Sequence, residues 1–475
     1  QSVMAEGGIN AALNTKDEND SPEEHFTDTI KAACGLADPN AVWGMTQAAP
    51  ELVHWLLKLG VKFNMSGYDD VDLRNFGGQK KKRTAFAQSD TGKQIMTAMI
   101  DAVRRKEASG MVERFSHHSF LTLRLCGNIC CGCVIRDEYS QETVELPGDA
   151  VIVATGGMHG LFGNTTGSLS NTGEVTAELF RLGVPLANGE MIQYHPTTVK
   201  CGGKRMLISE AARGEGGRLF AMKDGKQWYF MEEKYPELGN LMPRDITARE
   251  IWKVSHESEV FLDMTEISEE IISNKLSGLA DDCMTYLHKD IRKEPVSVLP
   301  GIHYFMGGIL VDEQHRTPIQ NLYAAGECCA QYHGANRLGG NSLLGALYGG
   351  RVAAKSACEQ ADVVDLSCAT QIDFPPASQI SEIKQLNKVM QETMGVVRNE
   401  NTLLNGIQTV QALTGNLPLL GMAVLKSALA RKESRGAHWR EDYPKSNDDD
   451  YLKTTVARFD GKQIQISFVP VPERR

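Results

Sequence analysis

The chain has 475 residues, of which 41% are apolar and 23% are charged, a balance typical of a globular protein with two or three domains. Its formal charge of −10 argues against nucleic acid as a partner, because binding phosphates requires clustered basic residues. No run of about 18 apolar residues occurs, so no segment is predicted to span a membrane. The eleven cysteines form no paired framework, which favours a reducing, cytoplasmic location.

Three helices are predicted in the N-terminal part of the chain. The sequence Ser-Pro-Glu-Glu at 21–24 is a capping pattern and starts the first helix. Apolar residues at helical spacing predict a second helix over 38–59. Asp-Thr-Gly at 90–92 precedes a third helix, which is predicted to run through Val103.

Short strands are predicted at 120–135 and 143–146, where four cysteines cluster. A metal or iron–sulfur site would need two separated C-x2-C pairs or a longer cysteine run, and only Cys130 and Cys133 have that spacing. A buried structural role is therefore predicted, without a metal site. The clustered residues are Cys126, Cys130, Cys131 and Cys133.

An apolar strand predicted at 150–154 ends in the small residues Thr155, Gly156 and Gly157. In open α/β sheets, a glycine turn after a buried strand presents a nucleotide at the carboxyl edge of the sheet. The sequence Asn-Thr-Gly-Glu at 171–174 opens the next helix and offers a second helix start that could face phosphate.

The composition changes between 189 and 300, where charged and aromatic residues increase and the strand–helix alternation stops. This change predicts an inserted α+β domain within an α/β fold. The sheet pattern resumes at 307–311 and 322–325. After a Pro/Ser linker at 374–378, a helical tail is predicted to close in a hairpin around 460–461.

The stretch from 301 to 350 concentrates glycines and basic side chains. His303 and Arg337 flank a short strand and a glycine-rich turn, which leads into an apolar helix beginning at Asn341-Ser342. A helix start presents unpaired N–H groups and the positive end of the helix dipole, a place suited to developing negative charge. Taken alone, these glycines could equally form ordinary tight turns.

Four basic side chains lie in segments bounded by glycine or proline: His195, Arg244, His303 and Arg337. Taken singly, a histidine in a turn is usually structural, and an arginine beside an aspartate is usually a surface pair. The segment SEAARGEGG at 209–217 adds alternating charges in a glycine-rich loop, where pKa values are often tuned. Its charged residues are Glu210, Arg213 and Glu215.

Together these motifs resemble the flavoprotein subunit of succinate dehydrogenases and fumarate reductases, a family that also includes L-aspartate oxidase. They follow the order of that family over nearly the whole chain. The resemblance implies an FAD-binding Rossmann-like domain at 1–188 and 301–365, a capping domain at 189–300 and a C-terminal helical domain at 375–475. The matching motifs are AEGGINAAL, ATGG, IQYHPT, SEAARGEGG, PRDI, HYFMGGI, LYAAGE, HGANRLGGNSL and ESRGAHWREDYP.

By this resemblance, the chain would interconvert fumarate and succinate by hydride transfer at the N5 atom of FAD. His303 and Arg337 would hold one carboxylate of the substrate, and His195 and Ser209 would hold the other. Gly8 would let the substrate lie against the backbone. Donors at both ends of a dicarboxylate would polarise the double bond and favour hydride acceptance.

In the same family pattern, Arg244 would be the general acid that protonates the neighbouring carbon. A guanidinium holds its proton firmly, so a relay must restore the proton, and Glu210 and Arg213 match the relay positions. Glu174 stands where the family usually has aspartate. The positions that match flavin contacts are Gly7, Gly8, Thr155, Gly156, Gly157, Glu174, Glu327, Ser342 and Leu343.

The chain departs from the family pattern in two places. Many complex-bound members attach FAD through a histidine five residues before the glutamate of AEGG, where this chain has Gln1. We therefore expect non-covalent FAD and, because losing that bond lowers the flavin potential, a preference for fumarate reduction. The GxGxxG phosphate-binding turn of the family is also missing, so we expect the sequence to be part of a longer chain.

The sequence contains no iron–sulfur motif and no C-x-x-C-H haem-attachment motif. The resemblance therefore implies an iron–sulfur partner subunit. A membrane anchor among the partners would hold the protein at the cytoplasmic face of the inner membrane. Two alternatives stay open: an L-aspartate oxidase of the same fold, and a non-catalytic, partner-binding fragment that lacks FAD.

Overall fold

The computed structural model describes residues 2–67, 70–361, 372, 374 and 379–475, and it confirms an α/β fold. Gln1 and most of the predicted linker at 374–378 lie outside the described residues. The helices are α1 (Pro22–Ala32), α2 (Pro39–Lys58), α3 (Thr91–Ala108), α4 (Glu174–Arg181), α5 (Glu210–Gly214), α6 (Phe230–Lys234), α7 (Arg244–Val254), α8 (Glu269–Lys275), α9 (Ser277–Asp282), α10 (Asn341–Gln360), α11 (Ile380–Thr393), α12 (Glu400–Val410), α13 (Asn416–Ala430) and α14 (Asp448–Tyr451).

The strands of the described residues are short, and most contain fewer than eight residues. They are β1 (Ile9–Asn10), β2 (Leu73–Arg74), β3 (Thr84–Ala85), β4 (His118–Cys126), β5 (Ile129–Asp137), β6 (Thr143–Pro147), β7 (Val151–Val153), β8 (Leu186–Ala187), β9 (Ile192–Cys201), β10 (Lys204–Leu207), β11 (Arg218–Lys223), β12 (Lys226–Trp228), β13 (Val260–Asp263), β14 (Val296–Ser297), β15 (Leu299–Phe305), β16 (Gly308–Leu310), β17 (Leu322–Ala324), β18 (Cys329–Ala330), β19 (Lys453–Phe459) and β20 (Ile464–Pro470).

The predicted helix starts are confirmed, and the first two helices have side-chain caps. Ser21 is the N-cap of α1, and its side chain accepts a hydrogen bond from the N–H of Glu24 at 3.2 Å. The second predicted helix is α2, and the third is α3, which continues past Val103 to Ala108. α4 starts after Gly173, whose φ of 87° suits glycine.

Two strand pairs each bring together segments that are far apart in the sequence. β7 and β17 are parallel, with Leu322 opposite Val151, so the residues that follow both strands meet at one sheet edge. β9 and β15 are antiparallel, with Gly301 opposite His195. This second pairing connects residues on both sides of position 300. The strand orders are β1-β3-β2, β10-β9-β15, β12-β11-β13-β14, β18-β16-β8-β19-β20, β17-β7 and β4-β5-β6.

The clustered cysteines lie on β4 and β5, two antiparallel strands in the region where short strands were predicted. Cys130 and Cys131 are buried and Cys133 is partly buried, as predicted. Across the part of the chain that the structure describes, no group of three or more His, Cys, Asp or Glu side chains could hold a metal ion. Cys126 is disulfide-bonded, a bond that the sequence analysis missed because cysteine spacing alone does not determine pairing.

The interior contains several apolar cores. In the largest, Phe162 and Phe180 pack with Leu386 of α11 and Leu420 of α13, so the C-terminal helices share a core with the segment around α4. A second core is formed by residues between 208 and 298, with Phe76 added from outside that range. The predicted C-terminal hairpin is confirmed as β19 and β20. Among the residues described, no helix is both long and apolar enough to cross a membrane.

A buried ion network fastens the end of α13 to the segment before β9. Arg431 forms ion pairs of 2.8 Å with both Glu190 and Glu433, and all three side chains are 0% exposed. The Arg431 guanidinium also donates to the carbonyl oxygens of Tyr451 and Lys453. Oε2 of Glu190 is buried without a hydrogen-bond partner among the described residues, so the carboxylate depends on its contacts through Oε1. The Arg431 guanidinium therefore fixes the relative position of the segments that it joins.

Replacing Arg431 with methionine would leave two buried carboxylates without that partner. We expect a loss of about 3–5 kcal/mol in the free energy of unfolding, seen as a lower Tm. The matched control is Arg316→Met, because Arg316 forms an exposed pair with Asp312 at 2.7 Å. That substitution should cost less than about 1 kcal/mol. Equal losses in the two variants would contradict the role assigned to Arg431.

Candidate active site

A cavity of about 470 Å³ lies where the edge beyond β7 and β17, the start of α10 and the sheet of β9 and β15 come together. Most residues predicted from the sequence border it. Thr155, Gly157, Glu174 and Arg213 are not part of its wall. The predicted residues that line the cavity are Gly7, Gly8, Gly156, His195, Ser209, Glu210, Arg244, His303, Glu327, Arg337, Ser342 and Leu343.

The paired strands β9 and β15 place two histidines side by side in this wall. The ring centroids of His195 and His303 are 5.2 Å apart, with an interplanar angle of 70°. Nδ1 of His303 lies 2.8 Å from Oγ1 of Thr166, and Nδ1 of His195 accepts from the N–H of Thr197 at 3.3 Å. Burial, followed by the charge of Arg244, holds the pKa of both rings well below the ordinary value. The histidines are therefore neutral hydrogen-bonding groups near pH 7.

Arg244, the first residue of α7, is joined to Glu210, the first residue of α5. Its Nε donates to Oε2 of Glu210 at 2.7 Å, and its terminal NH2 lies 2.6 Å from the same oxygen. The other carboxylate oxygen of Glu210 accepts from the N–H of Gly77 at 2.9 Å. This pair is buried, with Arg244 7% exposed and Glu210 2% exposed. Glu210 therefore fixes the direction of the Arg244 guanidinium.

Arg213 lies behind Glu210, on the side away from the cavity. Its NH2 group is 3.7 Å from Oε1 of Glu210, and its NH1 donates to the carbonyl oxygen of Asn240 at 2.6 Å. Burial by itself would raise the pKa of the Glu210 carboxyl, but Arg244 and Arg213 outweigh it and hold that pKa below the ordinary value. The structure thus brings Arg213, Glu210 and Arg244 into one series.

Gln193 is a central residue of the site that the sequence analysis missed. Its Oε1 accepts from Arg244 at 3.1 Å and from Arg337 at 3.0 Å. Its Nε2 donates to the carbonyl oxygen of Arg337 at 2.9 Å and to Oδ1 of Asn336 at 3.1 Å. The available signal was its position within the motif IQYHPT, two residues before His195. Gln193 holds the two arginines at a fixed separation.

The Arg337 side chain is buried against an aromatic ring. Its guanidinium carbon lies 4.3 Å from the centre of the Tyr304 ring, a cation–π arrangement. Burial, and then the charge of Arg244, lowers the pKa of Arg337 to about 9. Its Nε has no hydrogen-bond partner among the described residues and is buried. An anion in the cavity would relieve this unfavourable environment.

Gly8 and Ser209 form a further side of the wall. Gly8 has a φ of 127°, and a Cβ there would lie 2.4 Å from the carbonyl oxygen of Ala85, so only glycine fits. Ser209 is the N-cap of α5 and accepts from the N–H of Ala211 at 3.4 Å. Other wall residues that the sequence analysis did not select include Glu6, Arg205, Asp282, Tyr286 and Tyr304.

The opposite side combines glycine turns with a helix start. Glu327 follows β17, and its Oε1 accepts from the N–H of Phe305 at 3.1 Å. Gly340, with a φ of 84°, precedes α10, which has no side-chain cap and exposes its first turn to the cavity at Ser342 and Leu343. A carboxylate beside a glycine turn and an uncapped helix start fit the hydroxyl and ring groups of FAD. Glu174 lies at the start of α4, outside this wall.

Two known protein families match parts of the chain. Residues 1–343 match the family described as "FAD binding domain". Residues 413–474 match the family described as "Fumarate reductase flavoprotein C-term".

Three relatives show the range of names in the family. The chain is 37% identical to the succinate dehydrogenase flavoprotein subunit of Bacillus subtilis, over 100% of this chain and 92% of the relative. It is 31% identical to the 8-methylmenaquinol:fumarate reductase flavoprotein subunit of Wolinella succinogenes, over 100% of this chain and 86% of that relative. It is 32% identical to the L-aspartate oxidase of a Nostoc species, over 96% of this chain and 87% of that relative.

Solved structures show the same architecture. The chain superposes on the E. coli quinol fumarate reductase with a TM-score of 0.89 and 26% identity, covering 99% of this chain and 90% of the other. For Sdh1 of Mycobacterium smegmatis the TM-score is 0.82 with 28% identity, and the match covers 99% of this chain and 88% of the other. From its sequence, its fold and the residues around its cavity, the chain belongs to the family of succinate dehydrogenase and fumarate reductase flavoproteins.

Proposed function

We propose that the chain is an FAD-dependent oxidoreductase that interconverts fumarate and succinate, with fumarate reduction as the favoured direction. The observation that supports this most is the series Arg213, Glu210 and Arg244, which ends in a cavity containing a second arginine, Arg337. Such a cavity suits a dianion, because two buried guanidinium groups attract carboxylates strongly in a low dielectric.

In this proposal, the chain binds each end of the dicarboxylate with a separate pair of side chains. Arg337 and His303 bind one carboxylate, and His195 and Ser209 bind the other. The neutral histidines donate hydrogen bonds without adding charge, so most of the attraction comes from the arginines. Donors fixed in advance stabilise charge that develops in the transition state at little cost of reorganisation.

The proton is moved by the protein's own side chains. Arg244 gives a proton to the substrate carbon beside the one that accepts the hydride, and Glu210 and Arg213 return a proton to Arg244. Bound FAD supplies or accepts the hydride equivalent. Because Glu210 Oε2 contacts both Nε and NH2 of Arg244, the guanidinium cannot rotate away from the cavity without losing both contacts.

We also propose that FAD is held without a covalent bond, since Gln1 stands at the position of the linking histidine. Several relatives are described as flavoprotein subunits, which supports an iron–sulfur partner and, through it, a peripheral place at the cytoplasmic face of the inner membrane. The division into an FAD-binding domain, a capping domain and a C-terminal helical domain belongs to the same proposal.

L-Aspartate oxidase is the second candidate, because a relative of that name is 32% identical over 96% of this chain. Oxidation of L-aspartate by the purified protein, faster than succinate oxidation, would favour it. A third candidate, a partner-binding fragment without FAD, would be colourless near 450 nm.

Replacing Arg244 with glutamine should lower fumarate turnover by about 10²–10⁴-fold, the usual contribution of a general acid. The measurement is steady-state turnover together with the flavin absorbance, which should stay unchanged. The matched control is Arg249→Gln on the same helix, because Arg249 stacks at 4.0 Å on the ring of Trp439 and does not line the cavity. Turnover of the Arg244 variant near that of the control would refute the assignment of the acid.

Precipitating the protein with acid should release its flavin. We expect the yellow colour in the supernatant, since glutamine at position 1 has no nucleophilic nitrogen for the linkage. Flavin that stays with the precipitated chain would show that another residue forms a covalent bond.

Glu6 predicts a pH dependence of substrate binding. Burial, and then the charge of Asp282, raises the pKa of the Glu6 carboxyl to about 8. Glu6 is therefore neutral below about pH 8 and becomes negative above it, where it would repel a dianion in the shared cavity. We expect the KM for fumarate to rise between pH 7 and 8, and this rise to disappear in Glu6→Gln. Closer to pH 9 the KM should rise in both proteins, because Arg337 then loses its charge.

The control for this prediction is Glu51→Gln, which changes a 65% exposed carboxylate on α2. That variant should follow the wild-type pH profile. An identical rise of KM between pH 7 and 8 in Glu6→Gln would show that another group titrates.

A further inference from the structure

A buried polar network lies directly behind the wall formed by the start of α10. Asn10 on β1 and Asn341, the first residue of α10, are both 0% exposed. Nδ2 of Asn10 donates to Oδ1 of Asn341 at 2.7 Å and to the carbonyl oxygen of Gly339 at 2.7 Å. The backbone N–H of Asn10 donates to the carbonyl oxygen of Gly340 at 3.1 Å. One asparagine therefore contacts three consecutive residues at the helix start.

The Asn10 amide uses its full hydrogen-bonding capacity. Both of its N–H groups are engaged, and its Oδ1 accepts from Thr84 at 2.6 Å and from Gln79 at 3.0 Å. A side-chain amide can form about four such bonds, so its orientation is fully determined. Gly340 packs on the same oxygen, because a Cβ there would lie 2.1 Å from it.

Asn341 extends the network to α1. Its Nδ2 donates to Oγ1 of Thr29 at 3.0 Å, and its Oδ1 lies 3.0 Å from Nε2 of His25. A carbonyl oxygen only accepts, so Nε2 of His25 carries the proton. Burial, and then the charge of Arg83, lowers the pKa of His25 to about 3, so the ring is neutral and adds no positive charge beside the helix start.

None of these bonds involves the N–H groups of the first turn that face the cavity. The side chain of Asn341 points to α1 and β1, and α10 has no side-chain cap. The 20-residue helix is thus held firmly from behind, while its positive end remains available in front. Ser342 and Leu343 at this end border the cavity.

We propose that Asn10 and Asn341 are positioning residues that aim the N-terminal end of α10 at the flavin ring and thereby raise its reduction potential. This inference rests on FAD being the group that the cavity holds. A helix start placed correctly stabilises the negative charge of the reduced ring, and one that tilts away stabilises it less. The network therefore acts on the redox equilibrium without touching the cofactor.

The test compares flavin midpoint potentials of the intact, flavin-loaded protein by spectral titration against redox dyes. We expect Asn10→Ala and Asn341→Ala to weaken the preference for the reduced flavin by about threefold to tenfold. A tenfold change corresponds to about 30 mV for a two-electron couple. The potential should become lower in both variants.

The matched control is Asn416→Ala. Asn416 is also the first residue of a helix, α13, follows a glycine without a side-chain cap and is 8% exposed. Its Nδ2 donates to Oε2 of Glu178 at 2.8 Å, and it does not line the cavity. Its loss should lower Tm without moving the flavin potential.

A variant that is nearly isosteric covers the case in which Asn10→Ala fails to fold. Thr84→Val replaces with a methyl group the hydroxyl that donates to Asn10 and accepts from Gln79, and Thr84→Ser keeps that hydroxyl. We expect a lower potential in the valine variant and a wild-type potential in the serine variant.

Each outcome decides a separate question. A lower Tm with unchanged potential in the Asn10, Asn341 and Thr84 variants would overturn the positioning role. The same shift of potential in Asn416→Ala would overturn it as well. The variants could show the expected shift of potential while the wild-type protein turns over neither fumarate nor succinate. That result would support the positioning role and refute the proposed function.

Discussion

Two buried guanidinium groups share one oxygen atom in this protein, and the geometry of the cavity follows from that contact. Oε1 of Gln193 accepts from both Arg244 and Arg337. Two cations that share one hydrogen-bond acceptor repel strongly in a low dielectric, so each guanidinium needs its own group to balance its charge. Glu210 balances the charge of Arg244, and the Tyr304 ring balances part of that of Arg337.

The charge of Arg244 is balanced more completely than that of Arg337, and this difference gives the two arginines separate roles. Arg244 has a full carboxylate partner, whereas Arg337 has an aromatic face, an amide oxygen and a buried Nε that has no partner within the described part of the chain. The side with less compensation attracts an anion more strongly. A dicarboxylate would therefore be drawn first to Arg337, while Arg244 stays connected to Glu210 and the proton supply behind it. Binding and proton transfer are separated between two residues of the same type.

The sequence revealed the parts of the site whose residues interrupt a regular pattern. His195, His303, Arg244 and Arg337 were found because each basic side chain lies between glycines or prolines. Gln193 was missed, because a single amide within a strand has no distinguishing spacing. Its importance depends on two arginines that are 51 and 144 residues further along the chain.

The raised pKa of Glu6 could not be predicted from the sequence either, because it depends on burial and on Asp282 in α9, which is far away in the sequence. The α/β fold and the helix starts could be predicted because caps and periodicity are local. The pairing of β9 with β15 could not, because β9 lies near the start of the segment assigned to an inserted domain and β15 lies at its end.

That pairing has a consequence for how the protein is made. His195 leaves the ribosome long before its strand partner, and Gln193 precedes Arg337 by 144 residues. Until β15 has been synthesised, β9 pairs with β10 on one side and exposes an unpaired edge on the other, and such an edge is prone to aggregation. The cavity can therefore be completed only after the start of α10 has been synthesised, because Ser342 and Leu343 border it. A chain interrupted before α10 would contain Arg244 and Arg337 but would lack the helix start that forms the opposite side of the cavity.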